Sequence, residues 1–239
     1  MTRQRMETIN GVLTRRQTTL TVLMENVHKP HNYSAVLRSC DAVGIQEAHA
    51  VATSELAVRH RAKHRMTSAS AHKWVDVRIH RDIGEACGHL RGAGFRVVAA
   101  HLGEGARDFR EYDYTQPTAI LLGAERDGVS PEAERLADDC VVVPMLGMVQ
   151  SLNVSVAGAV ILFEAQRQRT QAGLYDTRHL ETTIYERRRI EWMQPRIADY
   201  CRRRGLPYPK LDEEGEIIGD FRRVADDPGR ESPTKGRLP

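Results

Sequence analysis

Three polar clusters in this chain each follow a short apolar run of the kind that forms a buried strand. The first lies within 25–44, the second within 121–130, and the third follows Val143, where Ser151 and Asn153 precede an apolar helix. Parallel sheets bind their ligands outside the carboxyl ends of their strands. The three clusters therefore predict one composite site at that edge of a sheet.

The polar residues that flank the predicted helices have two open interpretations. Asn32 can cap the helix after it, since its side chain can accept backbone N–H bonds. Ser151 and Asn153 can cap the last core helix, or can bind a ligand together with the exposed amides at that helix N-terminus. Capping and binding need the same side chains, so both interpretations stay open.

Arg38 and Glu125 are the charged residues of interest in the first two clusters. Arg38 stands among apolar residues, and an arginine there must be paired or face a cleft, because unpaired burial of a charge is costly. Structural pairing with Asp41 or Glu125 is one interpretation of Arg38. Glu125 directly follows a predicted strand, where it can anchor Arg38, hold a loop amide or bind substrate.

No metal site or common dinucleotide site is indicated. His28 and His31 form an H-x-x-H pair without obvious further ligands, which favours loop histidines over a zinc site. The four cysteines are far apart and form no CxxC pair, which is typical of reduced thiols in a cytosol. No G-x-G-x-x-G sequence follows the first predicted strand, so the usual Rossmann fingerprint is absent.

The overall composition is that of a globular protein. The chain has 239 residues, 41% of them hydrophobic, and a formal net charge of +3. We find no apolar run long enough to cross a membrane and no signal peptide, and we expect a cytoplasmic protein. Arginines concentrate at both ends and in the basic loop Arg59–Arg65. They suit bidentate phosphate contacts, although solvated helix faces explain them equally simply.

Alternating strand and helix patterns predict a mostly parallel sheet with helices on both faces. The predicted strands are 20–27, 47–52, 74–79, 95–100, 118–122 and 140–143, and the predicted helices are 3–17, 32–43, 82–92, 131–137, 153–169 and 180–204. The loop 53–73 is too long for an ordinary connection. We expect three parts: a basic helical extension (1–19), an α/β domain (20–166), and an Arg-rich helical extension (167–239). Its acidic tail from 211 is poorly suited to packing.

The three clusters resemble the motifs of a known enzyme family. The chain resembles the SPOUT class of RNA methyltransferases, specifically the TrmH type. The three segments that carry the resemblance are ENVHKPHNYSAVLRSCDAVG, LLGAERDGVS and VPMLGMVQSLNVSVAGAVILFEAQRQR. The resemblance covers roughly residues 12–176. Members of the TrmH type methylate the ribose 2′-hydroxyl of guanosine-18 in the D-loop of tRNA, with S-adenosylmethionine as donor. The resemblance implies this activity and this cofactor here.

The resemblance also implies roles for single residues. Arg38 corresponds to the family's catalytic arginine, with Asn32 and Glu125 as the other catalytic residues. The residues implied in cofactor binding are Ala100, Gly123, Val143, Ser151, Leu152 and Asn153. The residues expected to bind RNA are Arg15 and Arg16 in the basic N-terminal part, and Arg167 and Arg169, which match arginines linked to tRNA binding.

The resemblance further implies a deep trefoil knot in the C-terminal part of the sheet domain, and a homodimer with its active site at the subunit interface. Arginine remains protonated at neutral pH. We therefore expect Arg38 to hold a ribose-flanking phosphate and stabilise the developing alkoxide, with the proton leaving through that phosphate.

Two other functions remain as alternatives. A related 2′-O-methyltransferase acting on ribosomal RNA usually carries a separate N-terminal RNA-binding domain, whereas only about 20 residues precede the first predicted strand here. A non-catalytic RNA-binding protein on the same scaffold would lack Arg38 or a recognisable donor pocket, and both are present in this sequence.

Overall fold

A computed structural model of the chain describes residues 2–51, 73–103 and 105–219. The basic loop Arg59–Arg65 and the end of the acidic tail, 220–239, lie outside the described residues. The chain divides into two compact units, one formed by Arg15–His179 and the other by Met1–Thr14 together with Leu180–Pro239. The domain boundaries expected at 19 and 166 stay a prediction.

The elements follow one another in a largely alternating order. They are α1 (Arg3–Thr14), β1 (Leu20–Glu25), α2 (Pro30–Ala42), β2 (Glu47–Val51), β3 (Asp76–His80), α3 (Ile83–Gly92), β4 (Arg96–Ala100), β5 (Arg107–Asp108), β6 (Thr118–Leu122), α4 (Pro131–Leu136), β7 (Asp139–Val142), α5 (Val154–Gln171), α6 (Thr182–Met193) and α7 (Pro195–Arg204). A short 3₁₀ turn at Phe109–Glu111 follows β5.

The strands form one seven-stranded sheet in the order β3-β2-β1-β6-β4-β7-β5. Every pairing between these strands is parallel, which confirms the predicted mostly parallel sheet. Because β1, β6, β4 and β7 are neighbours, the loops that leave their carboxyl ends lie side by side. These loops contain the three polar clusters.

Helices cover both faces of the sheet, as the alternating pattern predicts. One face is packed by α2 and α5, whose buried residues Val36, Leu37, Ile161 and Leu162 join the first core cluster. The other face is packed by α3 and α4, whose buried residues Ala86, Leu90 and Ala133 join a second cluster. Each fully buried aliphatic side chain contributes about 1.5–3 kcal/mol relative to exposure.

Two predicted helices differ from those observed. Helix α2 begins at Pro30, because proline fits the first turn of a helix, and its N-cap residue Lys29 makes no side-chain cap. The expectation that Asn32 caps this helix is therefore wrong, since Asn32 lies inside the first turn. The helix predicted over 180–204 is divided into α6 and α7, and Pro195 begins the second.

The smaller unit contains α1, α6 and α7. Helix α1 packs against α6, and α6 packs against α7. The Arg189 guanidinium donates to the carbonyl oxygen of Asp212 over 2.9 Å, and the Gln194 amide donates to that of Gly215 over 3.1 Å. Leu211 is buried. The expectation that the acidic tail is unpacked from residue 211 is therefore wrong for these residues. No helix in the described residues is long and apolar enough to cross a membrane.

Candidate functional site

The loops after β4, β6 and β7, together with the start of α5, enclose a cavity of about 240 Å³. Its wall is formed by Ala100–Leu102, Leu122–Arg126, Val141–Val143 and Gln150–Leu152, and its floor by apolar side chains of α5 such as Ile161. The cavity thus lies outside the carboxyl ends of the strands, where the sequence predicts a composite site. We call it the donor cavity.

Five of the six residues that the resemblance implies in cofactor binding line the donor cavity. They are Ala100, Gly123, Val143, Ser151 and Leu152. Asn153 is not part of the wall but caps α5 next to it, where its Oδ1 accepts from the backbone N–H of Ser155 over 2.9 Å. The structure therefore brings together residues from three separate parts of the sequence.

Gly123 is required by the tight fold of the loop after β6. A Cβ atom on this residue would lie 2.1 Å from the carbonyl carbon of Gly128. The loop returns on itself because Ala124 and Gly128 exchange two backbone hydrogen bonds of 2.8 and 3.0 Å. Gly128 has φ +69°, a conformation that glycine adopts without strain. The two glycines thus shape one wall of the donor cavity.

Glu25 holds the other end of this loop in place by hydrogen bonds. Its two carboxylate oxygens accept from the Ser130 backbone N–H over 2.9 Å and from the Ser130 hydroxyl over 2.6 Å. Glu25 ends β1 and is buried, so it ties that strand to the start of α4. Glu25 is not among the site residues predicted from the sequence. A buried acid at the last position of a strand was the signal available.

The three polar clusters are joined by a row of hydrogen bonds. Asn153 Nδ2 donates to Asn32 Oδ1 over 3.1 Å, and Asn32 Nδ2 donates to Glu125 Oε1 over 2.9 Å. The same carboxylate oxygen accepts from the backbone N–H of Lys29 over 3.2 Å. Asn32 is buried, so its amide has a fixed position between the other two side chains. We call these side chains the Asn153–Asn32–Glu125 row.

The row keeps Glu125 ionised. Burial raises the pKa of Glu125, but the hydrogen bond from Asn32, the backbone N–H bonds and the nearby charge of His28 lower it by more. The net pKa lies below the ordinary value of 4.5. The wall of the donor cavity therefore contains a fixed negative charge at neutral pH.

Arg38 lies apart from this row. It is exposed on α2, and no carboxylate of the described residues forms an ion pair with it. Asp41 instead pairs with Arg16 at 2.7 Å, and Glu125 accepts from Asn32. The expectation that Arg38 is paired with either carboxylate in a core-like environment is wrong. Six residues separate Asn32 from Arg38, so the two side chains point to different sides of the helix.

Two of the four arginines expected to bind RNA are fully buried. Arg169 donates to the carbonyl oxygens of Tyr114, Thr19 and Gln116 at 2.9, 2.7 and 3.2 Å, and also to side-chain oxygens. Burial lowers its pKa to about 10, so it stays charged at neutral pH. Its donors are used within the fold, which contradicts a direct phosphate contact.

Arg16 has the same kind of environment. Its guanidinium donates to the carbonyl oxygens of Ile45 and Trp74 at 2.7 and 2.8 Å and pairs with Asp41. Ile45 and Trp74 precede β2 and β3, so Arg16 joins the amino ends of strands. This edge of the sheet is opposite the donor cavity. The expectation of a direct RNA contact is therefore wrong for Arg16 as well.

Arg15 and Arg167 are the exposed members of that group. The Arg167 guanidinium lies on the surface of α5, where it forms an ion pair of 2.7 Å with Glu164. Exposed pairs of this kind contribute little to stability, and they can be exchanged for phosphate contacts at little cost. These two arginines remain candidates for RNA binding.

Large apolar side chains are exposed in the loop before Ser151 and on α5. Leu146 and Met148, in the loop before Ser151, are 102% and 99% exposed, and Phe163 on α5 is 50% exposed. Val149 and Val156 are exposed beside them in sequence. Several large exposed apolar residues on two consecutive segments indicate a surface that another macromolecule covers. We call these five residues the apolar face.

Comparisons with known proteins agree on one family. The model of the SpoU rRNA Methylase family matches residues 19–163, and that of its C-terminal region matches 167–220. A tRNA (guanosine(18)-2′-O)-methyltransferase from Thermus thermophilus is 57% identical over 194 residues, which are 81% of this chain and 97% of that protein.

Two crystal structures are similar to the fold. The TrmH/SpoU tRNA modifying enzyme of A. aeolicus has a TM-score of 0.69 and 36% identity, covering 79% of this chain and 94% of that one. The SpoU methyltransferase AviRb from Streptomyces viridochromogenes, in complex with the cofactor AdoMet, has a TM-score of 0.54 and 28% identity, covering 66% and 59%.

Proposed function

The chain belongs to the SpoU rRNA methylase family, and on that premise we propose that it methylates the ribose 2′-hydroxyl of guanosine-18 in tRNA. The observation that carries this proposal is the Asn153–Asn32–Glu125 row, because it joins all three motif segments beside one cavity. The enzyme is a methyltransferase that uses S-adenosylmethionine.

The donor cavity fits this cofactor in its chemistry. Apolar side chains and the backbone of three loops suit a flat nucleoside, and the ionised Glu125 suits a ligand with positive charges. S-adenosylmethionine supplies an electrophilic methyl group on a sulfonium. We assign Ala100, Gly123, Val143 and Leu152 to the wall that holds it. Ser151, also in the wall, has an exposed hydroxyl for polar contact.

The protein's part in catalysis is mainly alignment of the reacting atoms. Fixing a hydroxyl and a methyl donor in line can supply about 7–11 kcal/mol in favourable cases. We assign this alignment to Asn32 and Asn153, whose amides are fixed in the row. Arg38 is exposed, and no carboxylate of the described residues forms an ion pair with it. Its guanidinium is therefore available to bind a ribose-flanking phosphate and to stabilise the developing alkoxide.

A second copy of this chain is the proposed occupant of the apolar face. The face adjoins the donor cavity, so its burial in a homodimer would put the active site at the subunit interface. Arg38 is not part of the wall of its own donor cavity, which fits a site completed at such an interface.

Met148→Glu should give a monomer in analytical ultracentrifugation with much reduced methyl transfer. A dimer with full activity would contradict this assembly.

The deep trefoil knot is also part of the proposal. The order of the last elements supports it. Strand β7 pairs with β4, and the chain then passes through a further loop to α5, which packs against α2. A chain knotted in this way would be one of the rare exceptions to unknotted topology. The cytoplasmic location expected from the sequence stays a prediction.

We propose that Arg15 and Arg167 contact tRNA phosphates, and that Arg16 and Arg169 stabilise the sheet that presents the site. Each phosphate contact releases counterions, so its loss lowers the salt dependence of binding. The buried arginines should not affect that dependence.

The function is tested by methyl transfer from labelled S-adenosylmethionine to unmodified tRNA, followed by mapping of the modified ribose. We expect label only at guanosine-18. A transcript with 2′-deoxyguanosine at that position is the matched control and should accept none. Label in ribosomal RNA but not in tRNA would favour the ribosomal alternative, and binding of tRNA without transfer would favour a non-catalytic protein.

A further inference from the structure

A second cavity, of about 330 Å³, adjoins the donor cavity. The two cavities share Ala124 and Gly128 in their walls, so the loop after β6 forms part of both. Polar side chains line the second cavity, among them His28 and Asp127. A group that reacts with a ligand of the donor cavity must approach from a neighbouring space of this kind. We call it the acceptor cavity.

The neighbours of His28 indicate which tautomer its neutral ring adopts. Its Nδ1 lies 3.1 Å from the carbonyl oxygen of Asn26 and 3.2 Å from Glu125 Oε2. Both neighbours are hydrogen-bond acceptors, so Nδ1 must carry the proton in the neutral ring. The lone pair is then on Nε2. No hydrogen bond to this nitrogen is formed by the described residues.

The backbone before His28 is shaped for this arrangement. Asn26 has φ +53°, a left-handed conformation that asparagine tolerates better than most residues. Its N–H donates to the carbonyl oxygen of Val51 over 2.9 Å, which fixes the turn at the end of β1. The Asn26 carbonyl oxygen is thereby held where it accepts the Nδ1–H.

The two carboxylate oxygens of Glu125 differ in their contacts. Oε1 accepts from Asn32 and Lys29, whereas Oε2 is buried and accepts no hydrogen bond from the residues that the structure describes. Oε2 is the oxygen that lies 3.2 Å from His28. A buried carboxylate oxygen at this distance stabilises an imidazolium far more than it stabilises the neutral ring. This is the arrangement of a general base and its orienting carboxylate.

We propose that His28 is the proton acceptor for the 2′-hydroxyl of the substrate ribose, an inference that rests on the proposed function. The proton moves from the 2′-oxygen to His28 Nε2. The oxygen forms the new bond to the methyl carbon while the carbon–sulfur bond breaks and its electron pair stays on sulfur. The imidazolium beside Glu125 then releases its proton to water. Arg38 keeps its part, the binding of phosphate and alkoxide, and His28 replaces the phosphate as the expected route for the proton.

The charged groups around the imidazole agree with this role. Glu25 at the end of β1 and Asp127 in the loop after β6 line the same cavity, and Glu125 contacts the ring. All three are carboxylates, so they favour a transient positive charge on His28. Lys29 is the next residue in the chain and is exposed. Histidine is also the side chain most often used as a general base near neutral pH.

The test uses two variants of the full-length enzyme in single-turnover methyl transfer to tRNA. His28→Ala removes the ring, and His28→Asn retains an N–H that can donate to the Asn26 carbonyl but offers no basic nitrogen. We expect both to react about 10²–10⁴-fold more slowly than wild type, the range of a general base. Both should lose the decrease in rate at low pH and should bind donor and tRNA with unchanged affinity. Free imidazole should restore part of the His28→Ala rate.

An independent measurement is nitrogen NMR of the enzyme labelled at histidine, which should show His28 as the Nδ1–H tautomer in its neutral state. His89→Ala is the matched control, because His89 is exposed on α3 and lines neither cavity. It should react at the wild-type rate. A His28→Asn enzyme with the wild-type rate and pH profile would overturn the proposal, as would an Nε2–H tautomer. A wild-type enzyme that does not methylate guanosine-18 would instead overturn the proposed function.

Discussion

Asn153 Nδ2 donates a hydrogen bond of 3.1 Å to Asn32 Oδ1, although the two residues are 121 positions apart in the chain. One residue caps α5 and the other lies in the first turn of α2. Since these helices pack side by side on one face of the sheet, their N-termini meet at its carboxyl edge. The contact fixes the amide of Asn32 so that its Nδ2 points to Glu125.

Replacing Asn32 should affect stability in a pH-dependent way. The folded-state pKa of Glu125 lies below its ordinary value of 4.5, and the hydrogen bond from Asn32 is the largest of the contributions that lower it. That stabilisation is present above the ordinary pKa and is lost as pH falls through the lowered one. Asn32→Ala should therefore reduce the free energy of unfolding by about 1.5–3 kcal/mol at neutral pH. The difference from wild type should narrow in acid, as followed by urea titration. A constant difference would contradict this coupling.

Gly123→Ala should abolish donor binding. The new Cβ would overlap the Gly128 carbonyl group, so the loop after β6 must move out of the wall of the donor cavity. We expect calorimetry with S-adenosylmethionine to show at least a tenfold loss of affinity, about 1.4 kcal/mol. Gly88→Ala is the control, because no atom of the described part of the chain lies within 4 Å of its added Cβ and it stands inside α3. That change should leave donor affinity intact and raise stability by about 0.5–1 kcal/mol.

Arg38→Ala should separate catalysis from donor binding. Arg38 is not in the wall of the donor cavity, so S-adenosylmethionine should still bind in calorimetry while methyl transfer is lost. Arg38→Lys keeps the charge but not the planar fork that holds a phosphate bidentately, and it should stay well below the wild-type rate. A lysine enzyme with near-full activity would exclude bidentate geometry. Loss of donor binding in a folded Arg38→Ala enzyme would contradict the separation.

Arg167 and Arg169 should behave in opposite ways although they are two residues apart. Arg169→Ala leaves the buried carbonyl oxygens of Tyr114 and Thr19 unpaired and should lower the free energy of unfolding by about 1–3 kcal/mol for each of them. Arg167→Ala removes an exposed ion pair and should change stability by less than about 1 kcal/mol. It should instead reduce the salt slope of tRNA binding by about 1. An unchanged slope would show that Arg167 is simply solvated.

Truncation after Lys210 should destabilise the smaller unit. It removes Leu211, which is buried, and the carbonyl oxygens that accept from Arg189 and Gln194. Loss of a carbonyl partner leaves a buried guanidinium donor unpaired, which costs about 1–3 kcal/mol. Truncation after Gly219 keeps each of these contacts and is the matched control. Equal melting temperatures for the two truncations would show that residues 211–219 contribute nothing.

The sequence by itself determined the fold class, the place of the site and the chemistry to expect there. Alternating apolar runs and helical patterns depend on local periodicity, so the strand at Thr118–Leu122 and the cap at Asp82 are found where the pattern predicts them. The three polar clusters follow strands because ligand-binding loops leave the carboxyl edge of a parallel sheet. Motif resemblance added the family, which the comparisons confirm.

Only the tertiary structure decided which polar side chains belong to the site. Arg38 and Arg169 are indistinguishable as charges in the sequence, yet one is exposed and the other donates to carbonyl groups at the amino edge of the sheet. Arg169 lies eight residues along α5 from Ile161 at the floor of the donor cavity, a distance of about 12 Å along the helix. Whether an arginine meets solvent or a buried carbonyl depends on which segments pack beside it. Those segments are distant in sequence, and so is Glu125, which orients His28 together with the nearby carbonyl of Asn26.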